Sequence, residues 1–335
     1  MGYKVPPPAP ADRVAWPDDF GQRFVVCVDT EEEFDWSAPL SPANRATSAA
    51  AAIPDAHRRF ADHGVPLTFL IDHPIATDGR AIDILRAVTA DGRSEVGAQL
   101  HAWVNPPHEE ALTAANSFVG NLSPELEAAK LDVLTAAITE AFGAPSIYRA
   151  GRYGIGPNTL GLLARRGYRF DSSMRSGYDY SDEGGPDFAA IGNDAFRCGP
   201  GDALVELPLT TIHTGLVRRL GAPLHRMLGK VPKGRGLFAR TGLLARVALT
   251  PEEMPLADAL EAVRVAAGDG LRVLNFSFHS PSLVPGHTPY VRDATDLARF
   301  YAWWDAILAE LARLKIAPAS FGDLRAALTP APAVR

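Results

Sequence analysis

The chain has 335 residues, of which 47% are hydrophobic and 21% charged, with a formal net charge of −6. That composition is ordinary for a globular protein with an ample core. The acidic balance argues against generic nucleic-acid binding, and two cysteines, Cys27 and Cys198, make no disulfide framework.

Residues 1–20 read as an extended arm, with Pro6, Pro7, Pro8 and Pro10. They lack the apolar centre of a secretory signal, and no apolar run reaches transmembrane length, so the expected location is cytoplasmic. Phe24–Val28 is a buried strand, with Cys27 a small hydrophobe inside it. Directly after it, Asp29, Glu31, Glu32, Glu33 and Asp35 crowd the strand's C-terminal mouth. Carboxylates there are costly unless paired, solvated or bound to a metal, and this is where α/β folds place active sites.

Ala49–His63 reads as a helix stopped by Gly64. Leu67–Ile71 is a strand, Ala81–Ala90 a helix and Glu95–Leu100 a short strand. Gln99 and His101 lie two apart and so face one side of their strand. Ser123 and Pro124 start a helix that runs to about Phe142, with Gly143 after it.

Ser146–Arg149 is a strand that enters a glycine-rich turn, Tyr148-Arg-Ala-Gly-Arg-Tyr-Gly-Ile-Gly156. Its spacing matches no nucleotide loop, and a tight turn presenting Arg149 is the better reading. Pro157–Arg166 is a helix ended by Gly167, and strand Tyr168–Phe170 follows. Asp171 stands next, where it is expected to hold an arginine by a bidentate pair. Ala203–Leu207 is a further strand. Thr250-Pro-Glu-Glu253 reads as a capping box before helix Ala257–Ala267. Arg272–Phe278 is a strand with His279 at its mouth, and Asp293–Leu314 is the long last helix.

Strand–helix alternation without an internal repeat implies an α/β fold with a parallel sheet or barrel. No linker divides it, so a single barrel domain is expected over 21–327, with a tail at 328–335. Within it, 211–250 carries eight Lys and Arg and no Asp or Glu. This insertion is either a contact surface for an anionic substrate, lipid headgroup or acidic partner, or a solvated segment whose arginines pair with the acidic remainder. The acidity of the whole chain favours the second.

The order of motifs resembles the polysaccharide deacetylase family (carbohydrate esterase family 4, the chitooligosaccharide-deacetylase homology domain), in an atypical bacterial branch. The resemblance spans roughly 22–325. It rests on Val28-Asp-Thr-Glu-Glu, Glu95-Val-Gly, Tyr148-Arg-Ala, Gly167-Tyr-Arg-Phe-Asp-Ser-Ser173 and Phe276-Ser-Phe-His-Ser-Pro281. It implies a distorted β/α barrel and metal-dependent removal of an N-acetyl group from a sugar. By that resemblance Asp29 is the base, His279 the acid, Arg149 the residue that orients the base, and Asp171 a support. Glu31 (or Glu32) and His101 are the metal ligands, for zinc. Trp103 and Tyr153 are expected to line a carbohydrate cleft. Gln99 and Trp103 stand where the family pattern has two histidines. The alternative function is a non-catalytic carbohydrate-binding or scaffold protein of polysaccharide or cell-envelope assembly.

Overall fold

The structure is a computed structural model that describes residues 2–252 and 254–328. The expected tail beyond Leu328, and Glu253 of the expected capping box, lie outside the described residues.

β1 (Arg23–Thr30), β2 (Leu67–Ile71), β3 (Glu95–Leu100), β4 (Ile147–Ala150) and β5 (Phe170–Asp171) pair in parallel, in that order. β6 (Phe196–Cys198) runs antiparallel to β7 (Leu204–Glu206), and β7 pairs with β5. β10 (Val273–His279), which follows the antiparallel hairpin of β8 (Thr211–Thr214) and β9 (Ala245–Ala248), returns to the far side of β1. β11 (Ala317–Pro318) adds two residues to β1. The sheet therefore curls into a partial barrel from β10 to β6. Irregular chain bridges the gap between β7 and β10: Thr210 N–H donates to the Asn275 carbonyl at 3.2 Å. The Asn275 side chain returns a bond to the Leu207 carbonyl at 3.0 Å.

The helices of the described residues are α1 (Ile53–Ala61), α2 (His73–Thr77), α3 (Gly79–Thr89), α4 (Pro124–Phe142), α5 (Thr159–Arg165), α6 (Gly221–Gly229), α7 (Gly234–Arg240), α8 (Leu256–Gly268), α9 (Ala294–Arg313) and α10 (Phe321–Leu328). The expected helix from Ala49 begins as a 3₁₀ turn and becomes α-helical only at Ile53, where Pro54 sits in the first turn. Ser123 caps α4 through Leu126 N–H at 3.2 Å. Asp293 caps α9 through Thr295 and Asp296 N–H. No helix starts at Thr250. α8 begins after Pro255, and Glu252 is used elsewhere.

Side chains alternate across the curled sheet. On β1, Phe24, Val26 and Val28 pack outward with Phe60, Phe276, Phe278 and Trp304. Val25 and Cys27 point into the lumen, which Phe20, Phe170, Phe321 and Leu324 plug at the bottom. This parity decides which polar residues reach the top of the lumen.

Candidate active site

Asp29 continues the lumen parity of Val25 and Cys27, and it is the register partner of His279 on β10. Gln99 on β3 and Arg149 on β4 are register partners too. These side chains, with Glu31 and His101, line a cavity of about 640 Å³ at the C-terminal mouth of the strands. That volume suits a small ligand.

Asp29 is buried and takes a hydrogen bond from Arg149 Nη1 on Oδ1 at 2.5 Å. The guanidinium is held from behind: Nε donates to the Ser172 carbonyl at 2.8 Å and Nη2 to Ser172 Oγ at 3.0 Å. Burial works against the Arg149 charge, but the Asp29 carboxylate outweighs it and raises its pKa.

Across the mouth, His279 Nε2 lies 3.9 Å from Asp29 Oδ2. Its Nδ1 donates to Glu252 Oε2 at 2.8 Å, and its backbone N–H to Glu252 Oε1 at 3.0 Å. Burial alone would lower the imidazole pKa. The charges of Glu252 and Glu31 overcome it and push it up to about 10.

The third group surrounds His101. Its Nδ1 donates to Glu32 Oε2 at 2.8 Å, so Nε2 keeps its lone pair toward the cavity. Glu32 Oε1 takes the Trp103 indole N–H at 2.6 Å, and Asp72 accepts the Glu32 and Ile75 backbone N–H groups. Gln99 Nε2 donates to Glu31 Oε2 and to His101 Nε2, each at 3.0 Å, and Gln99 Oε1 is buried without a partner. Burial pushes Glu31 up to about 7 and Glu32 up to about 8, and holds Asp72 well above the carboxylate range.

A divalent cation fits part of this arrangement. Glu32, Asp72 and His101 place ligand atoms within 4.8 Å of one another. Their facing acceptors are already filled by protein donors, however, and Glu32 and Asp72 are absent from the cavity wall. The better donor set faces the cavity: Glu31 Oε2 and His101 Nε2, 3.4 Å apart. Glu32 then orients the imidazole from behind, as carboxylates do for metal-binding histidines. A half-turn of the Gln99 amide would exchange its orphaned Oε1 for the Nε2 that now bridges the two.

Two expectations need correction. Asp171 makes no hydrogen bond with Arg149. Phe170 points into the lumen, so its neighbour Asp171 points out, toward Glu206, its register partner on β7. Its carboxylate takes the Ser173 hydroxyl, which in turn accepts the Ala150 N–H at 2.8 Å. Trp103 lines the cavity but is buried, with its N–H on Glu32 and its face stacked on His101 at 4.3 Å. The open aromatic surface is Trp36, edge-on to His279 and Tyr290. Tyr153 does border the cavity, stacked on Tyr180. The sequence assigns no site role to Glu252, Trp36 or Ser172. Ser172 stands beside Asp171 in a motif of the resemblance, and Glu252 falls in the expected capping box.

No protein-family model and no curated protein sequence matches the chain. Solved structures do. A candidate polysaccharide deacetylase from Mycobacterium smegmatis aligns with TM-score 0.51 at 19% identity over 98% of each chain. A candidate glycoside hydrolase/deacetylase from Parabacteroides distasonis aligns with TM-score 0.56 at 11% identity, over 92% of this chain and 71% of that one. A 4-alpha-glucanotransferase from Thermococcus litoralis aligns with TM-score 0.52 at 10% identity, over 93% of this chain and 41% of that one. At these identities the likeness concerns fold and not reaction. The curled parallel sheet and these neighbours show that the chain has a polysaccharide-deacetylase-like fold.

Proposed function

We propose that the protein is a deacetylase-like hydrolase that removes an acyl group, of the N-acetyl type, from a carbohydrate. The observation that carries this reading is the pair of Asp29 and His279, facing each other at 3.9 Å with a separate buried partner behind each. Arg149 occupies Asp29 Oδ1, which leaves Oδ2 to accept a proton from water. Glu252 holds His279 Nδ1–H and favours the imidazolium, so Nε2–H is the donor for the leaving nitrogen. The balance is simple. The water oxygen bonds to the acyl carbon, one water proton goes to Asp29, the C–N bond breaks, and the His279 proton goes to the amine. Glu31 and His101, with Gln99 Oε1, are the residues that would hold a divalent cation, and the carboxylate–imidazole donors suit zinc. When bound, such a cation supplies polarisation of the acyl carbonyl. Trp36 and Tyr153 offer aromatic surface to a sugar ring.

A second reading, a non-catalytic carbohydrate-binding protein, draws on Gln99. Its amide already satisfies Glu31 and His101 in the manner of a cation. The discriminating experiment pairs zinc and cobalt titration with acetate release from N-acetylated sugars. Under the hydrolase reading, metal binds and raises Tm, and Asp29→Asn lowers the rate by roughly a hundredfold or more with the fold intact. Sugar binding that ignores chelator, zinc and Asp29→Asn, with no acetate released, favours the second reading.

A further inference from the structure

The β8–β9 hairpin takes no part in the catalytic pair. Its connection folds as two short helices, α6 and α7. Seven large hydrophobic side chains are exposed among the described residues, and five of them sit here: Leu216, Leu220, Met227, Val231 and Leu237. Leu216 is 84% exposed. They belong to one small unit, since Leu216 N–H donates to the Gly242 carbonyl, just past α7.

Cations are interspersed with them. Arg218, Arg219, Lys230, Lys233 and Arg240 are all exposed, and none pairs with a carboxylate among the described residues. The basic residues that do have partners use other groups: Arg246 lies over the Tyr178 ring at 3.5 Å, and Arg235 Nε donates to the His225 carbonyl. The expectation that these arginines neutralise the acidic remainder therefore fails, and the hairpin presents unneutralised charge beside exposed aliphatic side chains.

We propose that this hairpin docks the protein on an anionic bilayer surface. Leucines among lysines and arginines are the chemistry of the membrane interface: the aliphatic groups enter the headgroup–acyl boundary while the cations meet lipid phosphates. A soluble polyanion would use the cations but leave Leu216, Leu220 and Leu237 in water, which is why the bilayer is the better occupant. The association proposed is peripheral; no helix among the described residues is long and apolar enough to cross a membrane. β9 leads through Thr250 to Glu252, so the docked hairpin is continuous with the residue that holds His279.

The test is co-sedimentation of the full chain with vesicles. One set is phosphatidylcholine alone; the other is two parts phosphatidylcholine to one part phosphatidylglycerol. Binding is expected on the anionic vesicles only, and it weakens as salt is raised. Two independent variants, R218E/R219E and L216S/L220S/L237S, are each expected to lower the partition coefficient roughly tenfold or more with Tm unchanged. If one variant melts early, the other decides. No binding to anionic vesicles overturns the proposal. So does a serine variant that binds vesicles like the parent and is retained equally on heparin, a result that assigns the charge to a polyanionic partner instead.

Discussion

His279 keeps its proton because Glu252 stands on its far nitrogen at 2.8 Å. On the proposed mechanism His279 must be protonated to act, so activity is lost as pH rises through its pKa, pushed up to about 10. Glu252→Gln removes the nearest anion, so the imidazolium is less favoured and its pKa falls. The alkaline limb of a kcat/KM profile is expected to move down by about one pH unit or more in that variant. An unmoved limb would detach Glu252 from the acid role. Gly151 supports the opposite wall. A Cβ there would lie 2.4 Å from His101 Cδ2 and 2.7 Å from the Leu100 carbonyl. On the proposed hydrolase reading, Gly151→Ala should therefore push His101 off Glu31 and weaken zinc binding about tenfold or more, read by calorimetry. At this scale the sequence was partly legible. Gln99 and His101 share a face because strand parity is local. Glu252 was illegible because its partner lies across an irregular loop, and Asp171 was misread because parity fixes alternation but not which residue starts inward.

At the scale of elements, the packing of α4 on α5 contains a buried carboxylate outside the active site. Glu127 accepts the Thr159 hydroxyl at 2.5 Å through Oε1, while Oε2 has no partner. Burial pushes its pKa up to about 7 from an ordinary 4.5, against the Thr159 hydrogen bond. Between those values the folded state binds more protons than the unfolded one, so stability falls as pH rises from about 4.5 to about 7. Glu127→Gln keeps an acceptor for Thr159 and removes the charge. It is expected to raise stability at pH 8 by about 1–3 kcal/mol and to leave it unchanged at pH 4, measured by urea midpoints. Elements with a local start signal, such as α4 after Ser123 and α9 after Asp293, were readable to within a residue or two. The short pieces β6, β8, β9 and β11 were not, because they hold few residues and exist through partners distant in the chain.

For the whole molecule, the segment read as an extended arm runs past Asp187 and the edge strand β6. Val5 N–H donates to the Asp187 carbonyl and Val14 N–H to the Ala195 carbonyl, and Val5 is buried. Trp16 stacks on Phe20, one of the side chains that plug the lumen floor. Removal of residues 1–15 is expected to lower stability by about 2–4 kcal/mol in urea unfolding, through lost apolar burial and exposed backbone groups. An unchanged midpoint would make the arm a passive extension. The sequence by itself determined the α/β alternation, the acidic mouth of β1 and the family to compare it with, because periodicity and motif order are properties of neighbouring residues. Only the tertiary structure decided that Asp29 meets His279, that Gln99 bridges Glu31 and His101, and that the basic hairpin stays unneutralised. Those facts depend on the curl of the sheet, which brings together side chains that the chain keeps far apart.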